Sequence, residues 1–314
     1  EKFATAINEK IKINNKARYL SLCNYLNEKH KIKVKDILPE ENKPFSKIFF
    51  PEKGEFHLSD LLNLETKKLF TAALVAQLEA NEIIEEYLND FSFPSKTSRK
   101  VSKVALLNYT GAAIIMPYEI FFHECVKKHR YDLELLQSTF AVSFEQVCHR
   151  VTCLNSPDPK LRGIPLHMIR VDRSGNVSKR FSLSGIELPR LSGACPKWNV
   201  YSAFSNPGKI SAAISKMTDG EKYVCIARTV EKGISKYGEE KGLLSIGLGC
   251  QIKYAKDFVY ADGLNLNDEK SESKIGVSCR KCDRLDCSQR AFPPDTQSYD
   301  VNINQRGVSI FVNS

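Results

Sequence analysis

The chain has 314 residues, of which 42% are hydrophobic and 26% charged, and a formal net charge of +9. Those proportions belong to a folded protein of roughly two domains, not to a disordered or fibrous one. No apolar run approaches the ~18 residues of a membrane span and no secretory signal opens the sequence. Membrane insertion and export are therefore set aside, and a cytoplasmic protein is expected.

Because the sequence opens at Glu1 without an initiator methionine, a fragment that has lost an amino-terminal part is expected. The stretch to about Lys35 is lysine-rich and helix-prone, and the alternation from His30 to Val34 predicts a short strand ending near Pro39. From Leu61 to Leu88, apolar residues at Leu64, Leu69, Leu74, Leu78, Ile83, Tyr87 and Leu88 recur near the helical period. Phe91 to Lys103, with Pro94 and several serines, predicts a mobile loop. Val104 to Met116 predicts an apolar helix, Pro117 starts another running to about His129, and Tyr131 to Phe140 forms a third. Ser143 with Gln146 makes a capping box for a helix over Phe144 to Leu154.

Beyond Pro157 the texture changes. Ile164 to Val171 and Val177 to Leu183 read as strands around a turn at Asp172-Arg173-Ser174-Gly175. Trp198 to Phe204 predicts a short helix, and Lys209 to Ile214, Tyr223 to Val230 and Leu243 to Leu248 predict three more strands. The expected fold class is α+β: a helical part over 1–160, then a mixed α/β part over 161–314 with a mainly antiparallel sheet, by analogy of the PAS/GAF sensor kind.

The strongest chemical signal is the C-x2-C-x4-C triplet Cys279, Cys282 and Cys287, with Cys250 upstream. Four thiolates can complete a tetrahedral zinc site or an iron–sulfur cluster, and Arg280, Lys281, Arg284 and Arg290 would favour the thiolate form. The other six of the ten cysteines show no ligand spacing and are expected to pack or sit at the surface. His123-Glu124 lacks a second histidine four positions on, so it makes no zinc-peptidase helix. The helix pair over 131–154 has helix-turn-helix proportions, but Phe144, Val147, Cys148 and Val151 direct the second member into a core. Arg170, Arg173, Lys179 and Arg180 share one predicted hairpin, with Arg190 and Lys197 close behind; they could converge on phosphate oxygens or equally be unrelated charges on a solvated hairpin, while Trp198 reads as a core residue.

Several stretches taken together resemble one family: Ile115-Met-Pro-Tyr118, Arg130-Tyr-Asp132, Val142 to Arg150, Arg170 to Arg180, Cys195-Pro-x-Trp198-Asn-Val, Leu248-Gly-Cys250, Tyr260-Ala-Asp-Gly263 and Cys287 to Pro294. The chain resembles the short-chain fatty acyl-CoA regulators, bacterial transcription factors, from about residue 60 to its end. The resemblance implies an XRE-type helix-turn-helix domain, absent from this chain, followed by a degenerate ImmA/IrrE-like, zincin-related domain and a sensor domain. It further implies acyl-CoA as effector and a [4Fe–4S] cluster at Cys250, Cys279, Cys282 and Cys287. In active relatives an F-T-x-A run precedes H-E-x-x-H; here Phe70-Thr-Ala-Ala73 is followed by Leu74, Val75 and Leu78, which can neither bind zinc nor activate water.

The resulting expectation is a non-enzymatic effector-binding region that senses a short acyl-CoA for control of fatty-acid or propionate-type metabolism genes. It would act in a homodimer and reach DNA through the missing domain. Arg170, Lys179, Arg180 and Arg190 are the candidates for the CoA phosphates, and Tyr131 for a polar contact. The alternatives are an ImmA/IrrE-like zinc metallopeptidase and a zinc-stabilised interaction module.

Overall fold

In a computed structural model, which describes residues 1–11, 17–40, 44–190, 193–233, 238, 242–295, 298, 303–304, 307–309 and 311, the chain divides into two units. The first comprises Glu1–Glu124, Glu134–Arg150 and Gly233–Lys241; the second comprises Cys125–Leu133, Val151–Lys232 and Gly242–Ser314. Among the described residues no single helix is long and apolar enough to cross a membrane.

The amino-terminal elements are α1 (Lys2–Ile11), α2 (Arg18–His30), β1 (Lys33–Ile37), β2 (Lys47–Phe50), β3 (Glu55–Ser59), α3 (Leu64–Glu79), α4 (Asn81–Asn89), α5 (Lys96–Ile115), α6 (Tyr118–Phe122), a π-helical turn His123–Lys128, α7 (Leu133–Phe140) and α8 (Phe144–Thr152). Residues 12–16 of the helix-prone opening lie outside the described residues. The strand expected over His30 to Val34 forms slightly later, as β1, and pairs in parallel with β3; β2 adds to β3 antiparallel. Neither β2 nor β3 was visible as alternation, because each is only four or five residues long.

One expectation is corrected outright. The serine-rich stretch from Phe91 is a loop only to Ser95, where a helix begins. The Ser95 hydroxyl accepts the Ser98 N–H at 3.0 Å and the Ser98 hydroxyl accepts the Ser95 N–H at 3.1 Å, so serines that favour loops here cap α5. Gly111 lets α5 cross α3 closely: a Cβ there would lie 2.8 Å from the Ala73 nitrogen. The capping box of α8 forms as expected, with Ser143 and Gln146 exchanging bonds of 3.0 and 3.2 Å.

Two cations are buried among these helices. Lys68 on α3 donates to the carbonyls of Phe140 and Ala141, where α7 ends, and burial pulls its amine down to about 8. A cation is favoured there by the negative end of the helix. On α8, Arg150 is 2% exposed, donates to the Met116 carbonyl at 3.0 Å and grips the Glu1 carboxylate at 2.7 and 2.8 Å. With Phe144, Val147, Cys148 and Val151 also buried, α8 packs inward as a structural helix, not a DNA-reading one.

The second unit is built on β4 (Leu166–Asp172), β5 (Val177–Ser182), the short α9 (Asn199–Ser202), β6 (Ser211–Lys216), β7 (Lys222–Lys232), β8 (Gly242–Gln251) and β9 (Glu272–Lys274). The sheet order is β5-β4-β8-β7-β6-β9, antiparallel throughout except where β9 runs parallel to β6. The β4–β5 turn is held by the Gly175 N–H on the Asp172 carbonyl at 3.1 Å, with Gly175 at φ +86°. One face of the sheet carries a core of Ile169, Val171, Cys225 and Ala227 packed with Cys195, Trp198, Val200, Ile275 and Val277. At Gly247, α9 presses so close that a Cβ would meet Val200 at 2.4 Å.

The Cys125–Leu133 segment is tied into this second unit. Arg130 and Tyr131 take left-handed φ values of 47° and 64°, a strained conformation for two consecutive non-glycine residues. It is held by the Val259 N–H on the Arg130 carbonyl at 3.0 Å, by a two-pronged ion pair from Arg130 to Asp262, and by the Leu133 N–H on the Tyr260 hydroxyl at 2.9 Å.

Candidate functional site

The four cysteines singled out by spacing fall in two places. Cys250 ends β8, paired in register with Leu166 on β4 and Val224 on β7. Paired residues project from one face, so its sulfur lies with Leu166 and Val224. It is fully buried, and burial, reinforced by Cys225 and Asp257, pushes the thiol up to about 12. The triplet lies in the loop beyond β9, with Cys282 buried and Cys279 and Cys287 half-buried.

Backbone contacts shape that loop. Arg290, 7% exposed, donates from Nη1 to the Cys279 carbonyl at 2.8 Å and from Nη2 to the Cys282 and Arg284 carbonyls at 2.7 and 2.6 Å. Arg284 reaches the Lys216 and Met217 carbonyls at 3.0 and 2.8 Å. Arg280 pairs with Asp295 and Lys281 with Glu187. The cations that crowd the triplet in sequence thus serve largely as fasteners for the loop.

Cys195, which spacing alone assigned to packing, lies beside the triplet. Burial first raises its thiol, the backbone N–H groups of Gly276 and Lys197 offset part of that, and Cys279 and Cys282 nearby raise it further. Among the described residues no group of three or more His, Cys, Asp and Glu side chains is arranged to hold a metal ion. Cys250, Cys279, Cys282 and Cys287 therefore do not fit a cluster as a set in this arrangement.

The candidate phosphate ligands separate as well. Lys179 pairs with Arg170, Arg170 with Ile246, and Ile246 with Arg228, so these four side chains form a row across β5, β4, β8 and β7 on one face. Arg170 Nε donates to the Ser178 hydroxyl at 2.9 Å. Arg180 pairs with Ile169 and joins Gly247 and Ala227 on the opposite face, where it donates to the Arg190 carbonyl at 3.3 Å. Arg190 itself is exposed. Arg228 was missed by sequence reasoning, although it is the lone cation within the apolar run Tyr223 to Val230.

Tyr131 is fully buried, its hydroxyl accepting the Ile164 N–H at 2.7 Å and its ring packed edge-on to Phe258. Burial first, and then Cys125, raises its phenol. The structure thus places it inside the second unit, engaged with the backbone.

A second polar cluster escaped the sequence. His167 Nδ1 lies 2.8 Å from the Ser184 hydroxyl and Nε2 lies 3.6 Å from Cys225 Sγ, with Trp198 and Tyr223 against the ring. Cysteine, histidine and serine suggest a nucleophile and its base, but burial opposes both charges. It lowers the imidazole to about 3 and raises the thiol to about 11, so both stay neutral and the trio is a satisfied core. In the first unit Leu74 and Val75 are buried on α3 and Leu78 half-buried, leaving a hydrocarbon surface where a zincin helix would carry its ligands and base.

Comparison with known proteins bears on both units. Residues 153–311 match the family described as short-chain fatty acyl coenzyme A regulator, C-terminal, and residues 28–152 match the IrrE N-terminal-like domain. The chain is 38% identical over 264 residues to the HTH-type transcriptional regulator RamB of Mycobacterium tuberculosis, covering 83% of this chain and 55% of that protein. It is also 38% identical over 234 residues to a propionyl-CoA carboxylase regulator of Cereibacter sphaeroides, covering 74% and 50% respectively. A solved Mycobacterium tuberculosis transcriptional regulator superposes with a TM-score of 0.89 at 28% identity, over 99% of this chain and 94% of that one. The chain spans about half the length of the curated relatives it matches. Those relatives carry the names of regulators, not of enzymes.

Proposed function

Since the chain belongs to the short-chain fatty acyl coenzyme A regulator family, we propose that it is the effector-binding region of a transcription regulator whose ligand is a short acyl-CoA. The observation that carries this reading is the row Lys179, Arg170, Ile246 and Arg228. Adjacent strands stand ~4.8 Å apart, so Arg170 and Arg228, separated by β8, are about 10 Å apart at the backbone. Cations at that spacing suit a ligand with several phosphate groups, and guanidinium forks bind phosphate in a fixed geometry. The acyl group would tune affinity by apolar burial, and the phosphates would supply what every acyl-CoA has in common.

Ligand would act by stabilising one arrangement of the sensor, which biases the attached DNA-binding domains of a homodimer. DNA would be contacted through a helix-turn-helix elsewhere in the protein, since α8 is occupied with internal packing. A thiophilic centre at the Cys279–Cys287 loop, [4Fe–4S] or zinc, is part of the same proposal. When bound it would cross-link segments distant in sequence and so pin the carboxyl-terminal tail.

Thermal unfolding in a graded series of acyl-CoAs tests the effector. Ligand at a hundred times its Kd stabilises by about 2.7 kcal/mol, which for a unit of this size raises Tm by roughly 5–10 °C. A shift with CoA esters that is lost in Arg170→Ala supports the proposal. No shift with any ester sinks it.

A further inference from the structure

We infer that strand β5 is a docking edge, whose outer side takes an extended, acidic segment of another polypeptide as an added strand. The inference goes beyond the acyl-CoA reading and does not depend on it.

β5 ends the sheet, pairs with β4 alone among the described residues, and is exposed from Ser178 to Ser182. The Leu183 N–H donates to the Leu166 carbonyl at 2.9 Å. Leu183, Phe181 and Lys179, spaced by two, therefore turn their backbone groups towards β4, and Arg180 and Ser182 turn theirs outward. No bond among the described residues takes up those outward N–H and C=O groups. Ser178 is the extra residue where the ladder shifts register beside Arg170 and Val171, so the regular open stretch runs from Arg180 to Ser182. Unbonded donors and acceptors along a sheet edge are a template for one more strand.

The chain that follows β5 leaves this edge clear. The Ser182 hydroxyl donates to the Ile186 carbonyl at 3.0 Å, and Arg180 Nη1 donates to the Pro189 and Arg190 carbonyls at 3.5 and 3.3 Å. Arg180 and Ser182 pair with Ile169 and His167, and project from the face whose core includes Ile169, Ile186 and Leu188. Residues 186–190 thus lie beneath that face, not alongside the strand.

The chemistry of the edge selects its occupant. Arg180 Nε and Nη2 make no bond among the described residues. A guanidinium can offer such a pair of donors to one carboxylate in a two-pronged grip. Arg190 is exposed beside it, and Lys179 stands on the opposite face. Phe181 and Leu183, 40% and 41% exposed, add apolar surface on the Lys179 side for alternate residues of an incoming strand. A second copy of β5 fits less well. In the antiparallel register that sets Arg180 against Ser182 of the copy, the two Arg180 side chains become diagonal neighbours about 7–8 Å apart, like charge beside like. The edge therefore suits a strand of opposite charge, with glutamate or aspartate facing Arg180.

The test offers the whole chain a displayed library of peptides that alternate acidic and apolar residues, beside a matched library with lysine for the acidic residues. Selected peptides are resynthesised and their affinity read by fluorescence anisotropy, with circular dichroism to verify folding of each variant. Enrichment from the acidic library alone is expected. Ser182→Pro removes an outward N–H without removing a bond to β4, and is expected to weaken binding at least about fivefold. Ser182→Ala, which loses only the hydroxyl, should bind as wild type does. Arg180→Glu is expected to weaken binding at least about tenfold. N-methylation of the peptide should abolish binding at every second position and be tolerated between them, because only alternate N–H groups face the edge. Should Ser182→Pro fail to fold, that methylation pattern on wild type decides. Enrichment from the lysine library or from neither, full affinity in folded Ser182→Pro, or indifference to the position of methylation overturns the inference. Self-association of wild type that Ser182→Pro abolishes, without peptide binding, gives the edge to a second copy and overturns it too.

Discussion

The imidazole of His167 stands directly across the β4–β8 ladder from Gly249, with Cε1 and Nε2 only 2.7 and 2.8 Å from where a Cβ would project. The Val224 carbonyl lies 2.6 Å from the same point. Any side chain at 249 must push aside a buried ring or the neighbouring strand. Gly249→Ala is expected to cost about 1–3 kcal/mol in urea unfolding. Gly263→Ala, with nothing within 4 Å of its Cβ, serves as the reference and should be silent. Equal stability of the two variants would show that the ring has room to move.

The same histidine gives stability a pH dependence. Burial holds the imidazole neutral in the fold, with its proton affinity lowered from 6.5 to about 3, whereas the unfolded chain protonates near its ordinary value. The unfolded state therefore binds the extra proton, and stability is lost as pH falls from about 6.5 towards 3, by up to about 1.4 kcal/mol per pH unit. Replacing His167 with Gln should flatten the acid limb of the stability curve by one proton. An unchanged slope would mean that other groups set it.

Arg130 combines an exposed ion pair to Asp262 with a left-handed backbone. Alanine at 130 removes the pair and keeps the strain, whereas glycine removes both. Arg130→Gly is thus expected to melt above Arg130→Ala. The reverse order would show that the backbone there carries no strain to relieve.

The two faces of the sheet separate cations that the sequence groups together. Arg170→Ala is expected to weaken binding of CoA and of its esters alike by about tenfold or more, the worth of a charge-assisted hydrogen bond of ~1.5–3 kcal/mol. Arg180→Ala should leave affinity unchanged, because its guanidinium projects from the other face towards the Arg190 carbonyl. Calorimetric titration with free CoA reads both. Loss in Arg180→Ala alone would move the ligand to the opposite face.

Local rules carried much of the fold. The Ser143–Gln146 box and the Asp172–Gly175 turn formed where their residues stood. The loss of ligands at Leu74 and Leu78 was legible because a leucine cannot bind zinc in any conformation. Ser95 misled because serine favours both loops and caps, and only the helix that follows tells them apart. Strand β9, three residues paired to a distant neighbour, carried no periodic signal of its own.

By itself the sequence determined which chemistry is present: thiols in a metal-binding rhythm, cations along a hairpin, a helix stripped of catalytic groups, and motifs ordered as in one family. The tertiary structure decided who meets whom. Strand register sends adjacent residues to opposite faces, which separated Arg180 from Lys179 and Cys250 from Cys225. Gly276, from a different part of the chain, holds its backbone against the Cys282 side chain, leaving no room for a Cβ. Which face a side chain occupies depends on partners remote in sequence, and spacing along one strand of chain cannot encode it.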